Sequence, residues 1–221
     1  NTYTEVGLPF NSIYGYESMG LFQSDEEVAN APFQNSNTAA GDIRYKNQNG
    51  DDKIDANDRV VIGDPNPHFL YGVNLGFDYK NFDLNMFFQG IGQKDRVIMD
   101  NFVRPFYDSS IFEHHLDYWT PENTGAKYPR ILNKDDGTHN YQQSDYWMIN
   151  AGYFRMKNLQ IGYTIPREIL RPAGFDRVRV YFSANNLFTV SDFVPGMDPE
   201  SEKSVSYPFA RTYSFGLNVQ F

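Results

Sequence analysis

The sequence contains no cysteine, which excludes a disulfide scaffold and a thiolate metal site. It has no long apolar run and its mean hydropathy is negative, so no transmembrane helix can be drawn through it. Basic residues are scarce: 19 Lys and Arg face 28 Asp and Glu, a net charge of -9. Phosphate backbones need a basic footprint, so nucleic acid is excluded as a partner. Neither an initiator Met nor a signal peptide precedes Asn1, and the chain reads as a piece of something longer. What it has in quantity is aromatic side chains, 16 Tyr, 19 Phe and 2 Trp in 221 residues. Its 40% hydrophobic content is enough for one large all-β domain or two small ones. A polar, aromatic-rich chain without a spanning helix has the composition of a membrane β-barrel.

The last eleven residues, Arg211-Thr-Tyr-Ser-Phe-Gly-Leu-Asn-Val-Gln-Phe221, alternate strictly. In an extended strand Tyr213, Phe215, Leu217, Val219 and Phe221 share one side, while Thr212, Ser214, Gly216, Asn218 and Gln220 share the other. A tilted strand of roughly 9 to 11 residues crosses a bilayer, and outer-membrane barrels pair an apolar lipid face with a polar lumen face. A half-buried strand of a soluble sandwich shows the same period, so repetition has to decide. The pattern returns at 69–79, at 81–90 with the parity flipped, at 153–165 and at 177–189. The flip is what a two-residue hairpin at Lys80-Asn81 requires to keep Tyr79 and Phe82 on one face. In the segment 153–165 Leu159, Ile161, Tyr163 and Ile165 line one side, with Arg155 and Lys157 expected at the start of that same side.

Connection lengths sort as a barrel sorts them. The links at Lys80-Asn81 and 166–176 are short, whereas 91–151 and 191–209 are long, and outer-membrane barrels keep short turns in the periplasm and long loops outside. The expected fold class is all-β: an antiparallel transmembrane β-barrel segment with long extracellular loops. Residues 1–68 are expected to form an extracellular loop region with short strands, Ile13-Tyr-Gly-Tyr16 and Leu21-Phe-Gln23 among them, and residues 69–221 the barrel strands. Ser24, three residues before Glu27, predicts a capped helical turn.

Three places invite a chemical reading. Asn47-Gln-Asn-Gly-Asp-Asp-Lys-Ile-Asp-Ala-Asn-Asp58 sets Asn47, Asn49, Asp51, Asp55 and Asp58 at positions 1, 3, 5, 9 and 12 of a loop, with the Lys53 carbonyl at position 7. Hard cations such as Ca²⁺ collect oxygens at that spacing; the bland alternative is a polar loop of Asx turns needing no ion. Ser110 to Trp119 has helical spacing, with Ile111, His115, Tyr118 and Trp119 on one face. Its adjacent His114 and His115 would point roughly 100° apart and could not converge on a metal without a third element. Asp135 and Asp136 sit in a Gly-containing turn and read as solvated, not as the flanking pair of a glycosidase.

Several segments in order carry a family resemblance: Gly41-Asp-Ile-Arg-Tyr-Lys46 before the oxygen-rich loop, Gly63-Asp-Pro-Asn-Pro67, Tyr79-Lys-Asn-Phe-Asp-Leu84, Tyr118-Trp-Thr-Pro-Glu-Asn123 with Lys127-Tyr-Pro-Arg130, Arg155-Met-Lys-Asn-Leu-Gln-Ile-Gly-Tyr-Thr-Ile-Pro166, Asn185-Asn-Leu-Phe-Thr189, Gly196-Met-Asp-Pro-Glu200 and the closing strand. Together they resemble the carboxyl-terminal part of the SusC/RagA family of TonB-linked outer-membrane transporters. The resemblance implies a 22-stranded barrel, an amino-terminal plug, energy from TonB through a plug region absent here, a SusD-like surface lipoprotein as partner, and import of oligosaccharides or peptides. It also implies no catalysis and no required cofactor. The family has Asp where Asn47 stands and Gly where Asp52 stands. Two other classes fit parts of the pattern: a soluble calcium-supported β-sandwich that binds glycans, and a β-jelly-roll hydrolase. Neither gives a reason for the sorting of connection lengths.

Overall fold

The computed structural model describes residues 2–99, 102–106, 111–132, 139–194, 196–201 and 207–221. The elements in chain order are β1 (Thr2–Tyr3), β2 (Ser12–Tyr16), β3 (Ser18–Leu21), α1 (Asp25–Ala29), β4 (Ile43–Tyr45), β5 (Arg59–Gly63), β6 (Leu70–Tyr79), β7 (Phe82–Ile91), β8 (Asp95–Val97), β9 (Met148–Asn150), β10 (Tyr153–Thr164), α2 (Arg167–Leu170), β11 (Arg177–Val190) and β12 (Thr212–Gln220). Among the described residues no helix is long and apolar enough to cross a membrane. The chain divides into two compact units, one of residues 1–66 and 95–149, the other of 67–94 and 150–221.

The second unit is an antiparallel sheet of five strands in the order β12-β11-β10-β7-β6. It is a meander: β6 and β7 are joined by Lys80-Asn81, and the register Tyr79↔Phe82 puts the two aromatics opposite each other. Lys80 takes a φ of 55°, the left-handed conformation a tight turn demands. The long excursion at 92–152 and the connection at 191–211 both leave from the other end of the sheet.

One face of this sheet is apolar on every strand. Register lines up Leu75, Met86, Leu159, Ala184 and Tyr213, and next to them Phe77, Leu84, Ile161, Phe182 and Phe215. Among the described residues no second layer covers these rows: Phe215 is 83% exposed, Phe77 63% and Leu217 62%. A sandwich seals such side chains between two sheets, so the open face distinguishes this fold from the soluble alternative.

The register also corrects the expectation for Arg155 and Lys157. Met156 pairs with Phe88 and Asn158 with Phe87, so Lys157 is an extra residue on β10. This β-bulge changes the parity, and Phe154 and Met156 join the row of Leu159 and Ile161. Arg155, opposite Gln89 and Thr189, therefore falls on the polar face. On β11 the compensating irregularity includes Asn186, with a φ of 52°. Further along the polar face, Asp83 of β7 and Arg179 of β11 pair across β10, with Arg179 Nη2 2.5 Å from Asp83 Oδ2. They meet over Gly162, the one β10 position whose lack of a side chain leaves room.

The link at 166–176 contains more order than a plain charged turn. Pro166 precedes α2, a 3-10 turn follows at Arg171–Ala173, and Gly174 ends it at a φ of 77°. Leu170 is buried and the Phe175 ring lies tilted 5.4 Å from that of Phe221.

The first unit holds the three-stranded sheet β1-β2-β5 and the pairs β3-β4 and β8-β9. Its core gathers Ile13, Tyr16, Phe22, Ile43, Tyr45, Ile54, Ile98 and Trp147. The Ser24 cap is present, its Oγ accepting the Glu27 N–H at 3.2 Å. The helix expected over 110–119 is absent: residues 107–110 lie outside the described residues, and the rest form only a 3-10 turn, Glu113–Leu116. Tyr128 accounts for this, because its N–H donates to the Asp117 carbonyl and its carbonyl accepts the Trp119 N–H. Those groups are thereby withdrawn from any helical ladder. Asp135 and Asp136 lie outside the described residues.

Gly162→Val is expected to separate Asp83 from Arg179 and cost about 1–3 kcal/mol, read as a lower thermal midpoint of the intact protein; an unchanged midpoint would show that the ion pair over Gly162 contributes nothing.

Candidate functional site

The Asn47–Asp58 loop of the first unit is held by its own backbone. Asn47 Oδ1 accepts the Gly50 N–H at 2.6 Å, Asn49 Oδ1 that of Asp51 at 2.9 Å, Asp51 Oδ1 that of Lys53 at 3.0 Å, and Asp55 Oδ1 that of Asn57 at 2.8 Å. Asp58 is fully buried and accepts the N–H of Gln48 on one oxygen and of Asp55 on the other, each at 2.8 Å. The Lys53 ammonium lies 2.6 Å from the Asp55 carboxylate, where a cation would sit. Among the described residues no group of three or more His, Cys, Asp or Glu is placed to hold a metal. The donor atoms are of the right chemistry for Ca²⁺, but in this arrangement they are engaged by backbone N–H groups and the Lys53 ammonium, and no function is routed through an ion. Millimolar calcium is expected to leave the thermal midpoint unchanged; a clear rise would show the oxygens turning inward to bind it.

Elsewhere in the first unit, two of the sequence segments singled out above, 41–46 and 127–130, meet on one carboxylate. Asp42, buried, takes a two-pronged contact from Arg130, with Nε at 2.7 Å from Oδ1 and Nη2 at 3.0 Å from Oδ2. Asn140 Nδ2 donates to the same Oδ1 at 2.7 Å, and its Oδ1 accepts the Ile43 N–H. The Trp147 indole N–H closes the set on the Asn140 carbonyl. Gly41 lies under the Trp119 ring with a φ of 89°, a place and a conformation that admit no side chain. The hub fixes distant loops to one another and presents no unsatisfied group for chemistry.

His114 and His115 do come together, though not on a metal. Both Nε2 atoms contact the Phe102 carbonyl, at 2.7 and 2.9 Å. His115 also accepts the Phe112 N–H on Nδ1, so it is held as the neutral tautomer. Burial, reinforced by the neighbouring His114, pushes its pKa down from 6.5 to about 4. A folded pKa below the unfolded one favours the folded state above pH 6.5, and that contribution is lost as pH falls from 6.5 towards 4. Limited proteolysis of the 112–116 turn is expected to accelerate over that window, and His115→Asn, which cannot titrate, to remove the acceleration.

The second unit carries a charged cluster that the sequence reading did not assemble. Arg155, 2% exposed, places Nη2 2.7 Å from Asp198 and Nη1 2.5 Å from Glu200, while its Nε donates to Thr189 Oγ1 at 2.8 Å. Lys157 Nζ reaches the same Glu200 oxygen at 2.6 Å, and the Tyr153 hydroxyl donates to the other. Tyr153 and Phe209 offer their rings to the guanidinium at 5.5 Å each. Burial works against the charge on Asp198, but the Arg155 contact and the backbone N–H groups of Glu200 and Phe209 outweigh it and hold this carboxyl below the usual range. The effect is to root the 191–211 connection on the polar face of the sheet. A signal was present: two cations spaced by two at Arg155 and Lys157, and two acids spaced by two at Asp198 and Glu200.

The comparisons agree with this architecture. No family model matches the chain. It is 31% identical over 97% of its length to the TonB-dependent receptor P3 of Formosa agariphila, and 27% identical over 98% to the TonB-dependent receptor SusC of Bacteroides thetaiotaomicron. The chain spans only 22% and 20% of those relatives. Among solved structures, the RagAB peptide transporter superposes with a TM-score of 0.73 at 23% identity, covering 98% of this chain and 23% of that one. The open-open state of the RagAB peptide importer gives 0.74 at 24% identity. At that identity the structures speak for the fold: the sheet is barrel-type wall, with the barrel not closed within this stretch. This chain is a SusC/RagA-like segment, alike along its length to about a fifth of a TonB-dependent receptor.

Proposed function

We propose that this chain forms the carboxyl-terminal wall and loops of a transporter in the cell outer membrane, one that imports oligosaccharides or peptides. The observation that carries the reading is the apolar face running unbroken over β6, β7, β10, β11 and β12 and left open to the surroundings. Side chains such as Phe77, Phe215 and Leu217 would meet acyl chains there, while Asn85, Gln160, Ser183 and Ser214 on the reverse would face a wet lumen. Five strands cannot close a barrel, so the remaining wall, a plug and the contact with TonB belong to sequence outside this chain. A SusD-like lipoprotein is the partner proposed for the loop side, as the likeness to SusC and RagAB suggests. Energy would come through TonB, and no bond-making step is assigned to any residue here.

Spin labels placed singly at positions 212–219 of the full-length protein in outer-membrane lipid test the placement. Oxygen accessibility is expected to alternate with a period of two, high at 213, 215, 217 and 219; a flat profile would sink the reading. Leu217→Arg is expected to cost on the order of 2–4 kcal/mol if the residue lies near the bilayer midplane, measured by denaturant titration in vesicles.

A further inference from the structure

On the polar face of the second unit, next to Arg155, the fold leaves a cavity of about 370 Å³. That is the lower end of the range in which small ligands are held. One side is apolar, formed by Phe193, Val194, Met197 and Phe209. The polar side is unequal in what it has left to offer. Arg155 directs its guanidinium to Asp198, Glu200 and Thr189; Asn186 Nδ2 donates to the Ala210 carbonyl; Ser191 Oγ donates to the Gly152 carbonyl. Arg211 also lines the cavity, is exposed, and forms no ion pair among the described residues. Of the two lining cations, Arg155 is taken up by Asp198 and Glu200, which leaves Arg211 with charge to offer. An exposed guanidinium beside a hollow favours anions, and its fork matches a carboxylate.

We propose that this cavity binds a carboxylate carried on an apolar body, with Arg211 recognising the charge and Phe193, Val194 and Met197 receiving the apolar part. The proposal rests on the transporter reading and deepens it, because it gives the imported molecule a chemical class. Two sources supply that chemistry: the free carboxyl end of a short peptide, and an acidic sugar, whose ring C–H face stacks on aromatic side chains. Arg155 does not touch the ligand in this scheme; it positions the wall by holding Asp198 and the turn to Glu200.

The test uses the full-length protein purified in detergent and titration calorimetry with leucyl-phenylalanine, its carboxamide, digalacturonate and the methyl ester of digalacturonate. One of the two acids is expected to bind, with its neutral counterpart weaker by about tenfold or more. Arg211→Gln should weaken the acid by about tenfold and leave the neutral form unchanged, whereas Arg211→Lys should retain most of the affinity. Which acid binds identifies the source. Equal affinity for acid and neutral forms, an unchanged Arg211→Gln variant, or binding of neither acid would overturn the assignment. Fractionation of the same protein with outer membranes reports separately on the transporter reading, so the two can fail independently.

Discussion

The side-chain period of a strand is two, and the break at Lys157, matched by the irregularity at Asn186 on β11, keeps the sheet consistent. Without the bulge, β10 could not match β7 on both sides of position 157: the row ending in Phe88 would face Arg155 and Lys157 instead of Phe154 and Met156. One inserted residue turns the guanidinium of Arg155 to the wet face and keeps the apolar rows continuous across five strands. The Arg155 cluster, the rooted 191–211 connection and the cavity beside it all follow from that change of phase. Burying this guanidinium costs desolvation, which Asp198, Glu200, Thr189 and the two rings offset together.

The two units solve the same problem with different means. In the sheet, backbone ladders supply order, and the polar face needs side-chain pairs only where strands must be tied across one another, as Asp83 and Arg179 are over Gly162. In the first unit the strands are short, and loops far apart in sequence are tied by Asp42, Arg130, Asn140 and Trp147. A carboxylate accepting from a guanidinium, an amide and a backbone N–H is stiff, which suits loops that carry little ladder of their own.

Much of the sheet was legible because alternation is a property of consecutive residues. The β6–β7 turn and the strands at 153, 177 and 212 lie within a residue or two of where periodicity puts them. The bulge was visible too, as even-numbered Phe154 and Met156 giving way to odd-numbered Leu159 and Ile161, but a mixed run from Arg155 to Asn158 hides the moment of change. The helix expected over 110–119 failed because Tyr128, just beyond the segment, takes the backbone groups of Asp117 and Trp119. Spacing at 47–58 marks an oxygen-rich loop, but it does not encode that Asp58 aims its oxygens at the N–H groups of Gln48 and Asp55. The Arg155 cluster depended on two segments more than forty residues apart meeting, which no local pattern encodes.

Asp198, Glu200 and Phe209 all converge on Arg155, so the connection is held at its roots by one side chain. Such an arrangement concentrates the hold on the sheet in a few contacts, so that substitutions elsewhere along the connection need not disturb the strands beneath.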